Sequence, residues 1–120
     1  MHVTRFYTGD DGRSHFEDIE LSFRPAAPGV ETAASINVDK IFFRKSTKEA
    51  NAAYEQFHNA PRRQYVLTIA GRLEIEMGDG SKREFGPGDM FLAEDTTGEG
   101  HAARLVGDET RISLFMPIAD

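Results

Sequence analysis

His58 and His101 are the side chains here best suited to move a proton, because imidazole alone has an ordinary pKa near neutral pH. His101 closes the acidic loop Glu94-Asp95-Thr96-Thr97-Gly98-Glu99-Gly100. A carboxylate partly buried beside a histidine has the environment that moves pKa values toward working pH. Glu99, two residues from His101, is the carboxylate taken here as a candidate catalytic partner of His58 and His101. The competing reading of this loop is a solvated acidic turn whose glycines serve backbone geometry. Arg62 and Arg63 stand close to His58, and a guanidinium fork holds carboxylate or phosphate at two points. Arg62 is therefore a candidate for orienting an anionic ligand, with Gln64 and Tyr54 as further ligand-binding candidates. The plainer reading of the two arginines is surface pairing with some of the 20 acids. His2 and His15 match no ligand spacing and read as surface residues. Cysteine is absent, which removes disulfides, thiolate ligands and a Cys nucleophile. No glycine-rich phosphate loop or serine nucleophile elbow occurs.

The elements that must position these residues read as strands. Leu73, Ile75 and Met77 alternate with Arg72, Glu74 and Glu76, and Gly78-Asp79-Gly80 then turns the chain into Lys82–Phe85, a hairpin signal. Gly86-Pro87-Gly88-Asp89 is a second turn, leading into Met90–Ala93, an apolar run suited to a strand buried on both faces. Residues 101–106 and 111–116 read as a C-terminal pair around Gly107-Asp108-Glu109. Upstream, residues 36–44 alternate and break at Lys45-Ser46-Thr47-Lys48. Residues 15–23 read as strand, 24–29 as a proline-bearing loop, and 47–53 as one helical turn or a loop. Along 64–69, Gln64, Val66 and Thr68 share one face and Tyr65, Leu67 and Ile69 the other. The pattern leaves open which face is inner, and Gln64 leaves the site if it is the solvated one.

The spacing of these residues resembles the metal-site motifs of the cupins, double-stranded β-barrels whose first motif reads G(X)5HXH(X)3-4E(X)6G and whose second reads G(X)5PXG(X)2H(X)3N. Gly71 closes the first motif, Gln64 stands where the family has Glu, His58 takes the first His position and Ala60 the second. In the second, Gly88 opens the pattern, Glu94 and Thr96 replace Pro and Gly, and strict spacing falls on Glu99. His101 fits with two extra loop residues, and Leu105 then takes the place of the closing Asn. The stretch His-Asn-Ala-Pro-Arg-Arg-Gln-Tyr, followed by Glu-Asp-Thr-Thr-Gly before the last His, is similar to that of a group of small single-domain cupins.

The resemblance implies an all-β jelly-roll barrel with little helix, a single domain over residues 1–120, with motif 1 at about 57–71 and motif 2 at about 86–105. It implies His58, Gln64 and His101 as the metal set, for zinc, iron, nickel or manganese. A carboxamide is a weaker donor than a carboxylate and neutralises no charge, so this set predicts a weak metal site or none. Cupins include isomerases, epimerases, cyclases, lyases, dioxygenases and plain binders, so three functions stay open. One is a small-molecule enzyme acting by proton transfer in the cavity, of isomerase, cyclase or lyase type, on a polar metabolite that is anionic if Arg62 faces it. Another is a divalent-metal-dependent oxygenase at the same residues, and the third is a non-catalytic small-molecule-binding module. If Gln64 faces the cavity, the opposite face with Tyr65, Leu67 and Ile69 is apolar and needs a cover. Small cupins commonly supply it with an N-terminal strand or a second subunit, so a homodimer is expected.

Composition bounds the rest. A chain of 120 residues suffices for one core, and 9 Phe and 3 Tyr supply large side chains to fill it or line a cavity. The formal charge of -6 disfavours nucleic acid and anionic bilayers as partners. No stretch approaches the roughly 20 apolar residues that a membrane helix needs, and no apolar leader core opens the chain, so a cytoplasmic location is expected.

Overall fold

The computed structural model describes residues 1–119. Its strands are β1 (His2–Thr8), β2 (Ser14–Glu20), β3 (Phe23–Ala27), β4 (Val30–Ala33), β5 (Phe42–Ser46), β6 (Gln64–Ala70), β7 (Leu73–Glu76), β8 (Lys82–Phe85), β9 (Met90–Ala93), β10 (Ala102–Leu105) and β11 (Arg111–Pro117). A 3-10 turn at Lys48–Ala50 and the single α-helical turn α1 (Asn51–Tyr54) are the helical elements described. Six strands form one sheet in the order β2-β1-β9-β6-β11-β5, and three form a second in the order β10-β7-β8. The pairings are antiparallel except β1 with β9, which run parallel. Apolar side chains of both sheets meet between them, which makes the architecture an all-β jelly-roll barrel, as expected.

The inner face follows period-two alternation. On β6, Gln64, Val66 and Thr68 are buried while Tyr65 and Leu67 are half-buried and Ile69 is exposed, so the face carrying Gln64 is the inner one. On β11, Arg111, Ser113, Phe115 and Pro117 point inward in the same way. From the small sheet come Leu73, Ile75, Phe85, Ala103 and Leu105. Phe6 centres the core, stacked on Phe91 at 4.6 Å and edge-on to Phe85 at 5.9 Å. Geometries of this kind add to the burial itself, so the aromatics fix the distance between the sheets. The expected double burial of β9 is seen, with Phe91, Leu92 and Ala93 all buried.

The β7–β8 hairpin forms as the Gly78-Asp79-Gly80 turn predicts, and 48–54 is helical. Three expectations are corrected. Residues 101–106 and 111–116 do not pair with each other, since β10 pairs with β7 while β11 pairs with β6 and β5. The turn at 107–109 carries the chain from one sheet to the other. The strand expected over 36–44 is β5, Phe42–Ser46, running through the expected break. Its upstream half makes only a bridge, Val38 to Ile118, because alternation becomes sheet only where a partner strand lies alongside. The loop expected over 24–29 lies in a two-stranded ribbon, β3–β4, whose register slips between Pro25 and Ala27. Proline is tolerated at such a bulge. The residues of β3 are all exposed.

No helix among the described residues is long and apolar enough to cross a membrane.

Candidate functional site

A cavity of about 400 Å³ opens between the sheets, near the lower end of the size range of ligand pockets. Its apolar walls include Val66, Leu73, Ile75, Phe91, Leu105 and Phe115. His58, Gln64, His101, Arg62 and Tyr54 all line it, so five of the six residues singled out in the sequence share one space with Ala60.

His58 and His101 are brought together by backbone pairing. Each donates its N–H to the other's carbonyl at 2.9 Å, a bridge that sets the two rings 4.8 Å apart at their centroids. Gly100 makes that bridge possible. It has φ +81, and a Cβ there would collide with the carbonyl of His58. Behind His101, Asp95 is fully buried, and its Oδ2 lies 2.6 Å from His101 Nδ1 and accepts the Ser14 hydroxyl at 2.7 Å. Oδ1 has no donor. A carboxylate can only accept, so Nδ1 of His101 carries the proton and Nε2 keeps the lone pair in the neutral ring. His58 is fixed the same way, with Nδ1 donating to the carbonyl of Gln56 at 2.8 Å. Burial pushes the His58 pKa down, reinforced by its imidazole neighbour, against smaller upward effects of the Gln56 hydrogen bond and Asp95. His58 is thus held neutral at neutral pH. Tyr54 stands edge-on to it at 5.3 Å, on a helical turn that Asn51 ties to the barrel by accepting the Leu105 N–H at 2.9 Å.

Glu99 is the exception. It does not line the cavity, its carboxylate lies 3.9 Å from Arg13, and a Cβ at Gly78 would run into it. The carboxylate that reaches His101 is Asp95, because the loop turns through two glycines of positive φ, Gly98 and Gly100, and faces Glu99 away. Only the position of Asp95 in the same acidic loop hinted at this. Glu94 next to it faces the outer side of the sheet, where Oε1 accepts from Arg5 Nε at 2.6 Å and Oε2 from Arg63 Nε at 2.6 Å. Burial opposes ionisation of Glu94, but these hydrogen bonds outweigh it and hold the carboxyl below its ordinary range.

Sequence reasoning also missed Arg111 and Arg44. Arg111 is 4% exposed, lines the cavity and donates to the hydroxyls of Ser113 at 3.1 Å and Thr68 at 3.0 Å, while its Nε has no partner. Burial, with Arg44 adding to it, pushes its pKa down to about 10. Arg44 lies over the Phe115 ring at 4.2 Å. The readable signal was the alternation of β11, which puts Arg111 on the same face as Phe115.

The donor set is a poor one for a divalent metal. Two imidazoles and the Gln64 carboxamide are the only ligands this cavity offers in the expected positions, and no three His, Asp or Glu side chains are grouped to hold a metal ion among the described residues. Cationic side chains on the wall oppose a dication further. These residues do not fit a closed or three-ligand metal site.

No protein-family model and no curated protein matches the chain. Among solved structures it is similar to KdgF from Halomonas sp., 22% identical over 95% of this chain and 96% of that one, with a TM-score of 0.40. It is also similar to a structure from Salmonella typhimurium LT2 described as a candidate ethanolamine utilization protein Q, EutQ, 9% identical over 100% of this chain and 98% of that one, also with a TM-score of 0.40. The fold assignment rests on the strand order and core of this chain.

Proposed function

We propose that this chain is a small-molecule enzyme that transfers a proton within the barrel cavity, of isomerase, cyclase or lyase type, acting on a polar metabolite. The observation that carries this reading is the His101 Nδ1 to Asp95 Oδ2 contact of 2.6 Å, with Asp95 fully buried. Burying a carboxylate is unfavourable, and a plain binding pocket gains nothing from one directed at an imidazole. A proton-transferring imidazole does gain, because the carboxylate fixes its tautomer and stabilises the positive charge that develops as Nε2 takes a proton. His58, neutral and 4.8 Å away ring to ring, is the second proton-transfer group. Gln64 and Tyr54, at the cavity wall, bind and orient the substrate. The divalent-metal oxygenase reading lacks the carboxylate and third ligand it needs.

Proton transfer is tested directly in deuterated water. Small polar metabolites that bind the protein, as detected by saturation-transfer NMR, are incubated with it, and loss of their exchangeable C–H signals is followed. Catalysed exchange that falls at least about 100-fold in His101→Ala is expected, since general acid–base groups contribute roughly 10²–10⁴-fold. A bound metabolite that shows neither exchange nor turnover leaves the binding-module reading in its place.

The working unit is proposed to be a homodimer. The outer face of the large sheet presents Ile69 at 45% and Phe43 at 67% exposure beside half-buried Leu67, Leu114 and Met116, and the β3–β4 ribbon is a two-stranded element of the kind that is marginal alone in water. Sedimentation of wild type at micromolar concentration should show a dimer, and Phe43→Lys with Ile69→Lys a monomer; a monomeric wild type removes the proposal.

A further inference from the structure

Lys40, Arg44, Arg62 and Arg111 all line the cavity, yet no carboxylate of the described residues pairs with any of them. The chain carries 20 acidic residues against 14 basic ones, so this grouping runs against the composition. Among the described residues no Asp or Glu lines the cavity, and Asp95 is screened from it by His101.

Arg111 is the decisive member. A guanidinium withdrawn from water and left without an anion is costly to fold, and it presents five N–H donors in a rigid fork. Two of its nitrogens meet neutral hydroxyls, of Thr68 and Ser113, and Nε meets nothing. Two hydroxyls leave the charge uncompensated, and Arg44 beside it adds repulsion. An arrangement that is unfavourable while empty becomes favourable when an anion enters, because the low-dielectric wall strengthens the pairing.

We propose that Arg111, supported by Arg44, is a binding site for the carboxylate of a small organic acid whose remaining body lies on the apolar wall. A carboxylate fits better than a free inorganic anion because Val66, Phe91 and Phe115 line the same cavity and have nothing to offer a bare oxyanion. The register orients the molecule. Arg111 meets Thr68, whereas His58 and His101 lie beyond Gln64, four residues away along β6 and so about 13 Å along the strand at ~3.3 Å per residue. The carboxylate end is thus anchored away from the imidazoles, and the far end of an elongated acid reaches them. This rests on the proton-transfer reading for its choice of reacting end, and on the cavity alone for its choice of anion.

The test uses full-length protein and simple probes: hexanoate and benzoate as carboxylates with apolar bodies, hexanamide and benzamide as their neutral counterparts, and inorganic phosphate as a bare oxyanion. Calorimetric titration and thermal melting read binding. At least one carboxylate should bind ten or more times tighter than its amide and than phosphate, and should raise Tm by about 3–6 °C at tenfold over Kd. In Arg111→Met the binding should fall at least tenfold and the unliganded Tm should rise, because a buried unpaired charge has been replaced by an apolar chain of similar length. Arg111→Lys keeps a charge without the fork, should lose roughly tenfold, and serves where the Met variant does not fold. Equal binding of acid and amide, binding unchanged in the Arg111 variants, or no carboxylate binding to wild type at 50 mM, each overturns the proposal. Carboxylate binding without proton exchange keeps this site and removes the catalytic reading. Exchange that is indifferent to Arg111 does the reverse.

Discussion

Replacing Glu94 with Gln should weaken the fold measurably, because one carboxylate ties three strands together. Its Oε1 takes Arg5 of β1 at 2.6 Å, and its Oε2 takes Arg63, immediately before β6, at 2.6 Å, while residue 94 itself follows β9. Gln retains one carbonyl acceptor and turns an amide donor toward the other guanidinium, so one charge-assisted contact is lost outright and the other loses its charge. A hydrogen bond to a charged group contributes roughly 1.5–3 kcal/mol. The arginine side chains are 31% and 44% exposed and regain water on release, while Glu94 is 14% exposed. That reduces the expected loss to about 1–2 kcal/mol. Unfolding entropy near ~2.1 cal/mol/K per residue over this chain makes it a Tm drop of about 4–8 °C. The pH dependence is a second check. The folded carboxyl sits below its ordinary range, so its contribution is complete above the unfolded pKa and is lost as pH falls through the lower folded pKa. Urea unfolding of both proteins at pH 7 and at stepwise lower pH reads the gap. A difference under about 0.5 kcal/mol at pH 7, or one that stays constant as carboxyls protonate, refutes the argument.

Three further outcomes are expected. Wild-type stability should decline as pH falls from about 6.5, because His58 is held neutral in the fold while its unfolded counterpart takes a proton, and His58→Gln should flatten that slope in denaturation curves at pH 7 and 5. Gly100→Ala, with φ +81 and the His58 carbonyl in the way, should cost well over the ~1 kcal/mol of an open left-handed site and disturb both imidazole NMR signals; Gly107→Ala, with φ +78 and open space, gives the comparison, and equal losses would count against the bridge as the constraint. Ala60→His with Gln64→Glu should raise zinc or nickel affinity sharply over wild type in calorimetry, since both positions line the cavity with His58 and His101; unchanged affinity in a folded double variant would mean that the four positions do not converge.

Local pattern made much of the barrel legible. Alternation over Leu73–Met77 and the glycine turn after it specify the β7–β8 hairpin, and an unbroken apolar run specifies that Met90–Ala93 is covered on both sides. Cupin-motif spacing selected Gln64 and His58 back from Gly71, and His101 onward from Gly88 with two extra loop residues; all three line one cavity. What the pattern cannot carry is partnership. Residues 36–41 alternate as well as any strand, but only Val38 finds a bridge, and 101–106 and 111–116 face a turn like a hairpin yet join different sheets. Which strand lies alongside another depends on closure of the whole barrel.

The site divides along the same line. Resemblance to the two cupin motifs implied that His58 and His101 would meet near a polar loop, because strand periodicity within each segment decides which side chains share a face. Tertiary structure decided which carboxylate supports them, since Gly98 and Gly100 turn Glu99 outward and leave Asp95 behind His101. It also decided that Arg111 lies buried with no carboxylate partner among the described residues, because whether a cation has a partner depends on every element packed around it. Alternation along β11 could announce an inward arginine; only the packed barrel shows that Thr68, Ser113 and Arg44 are what it meets there.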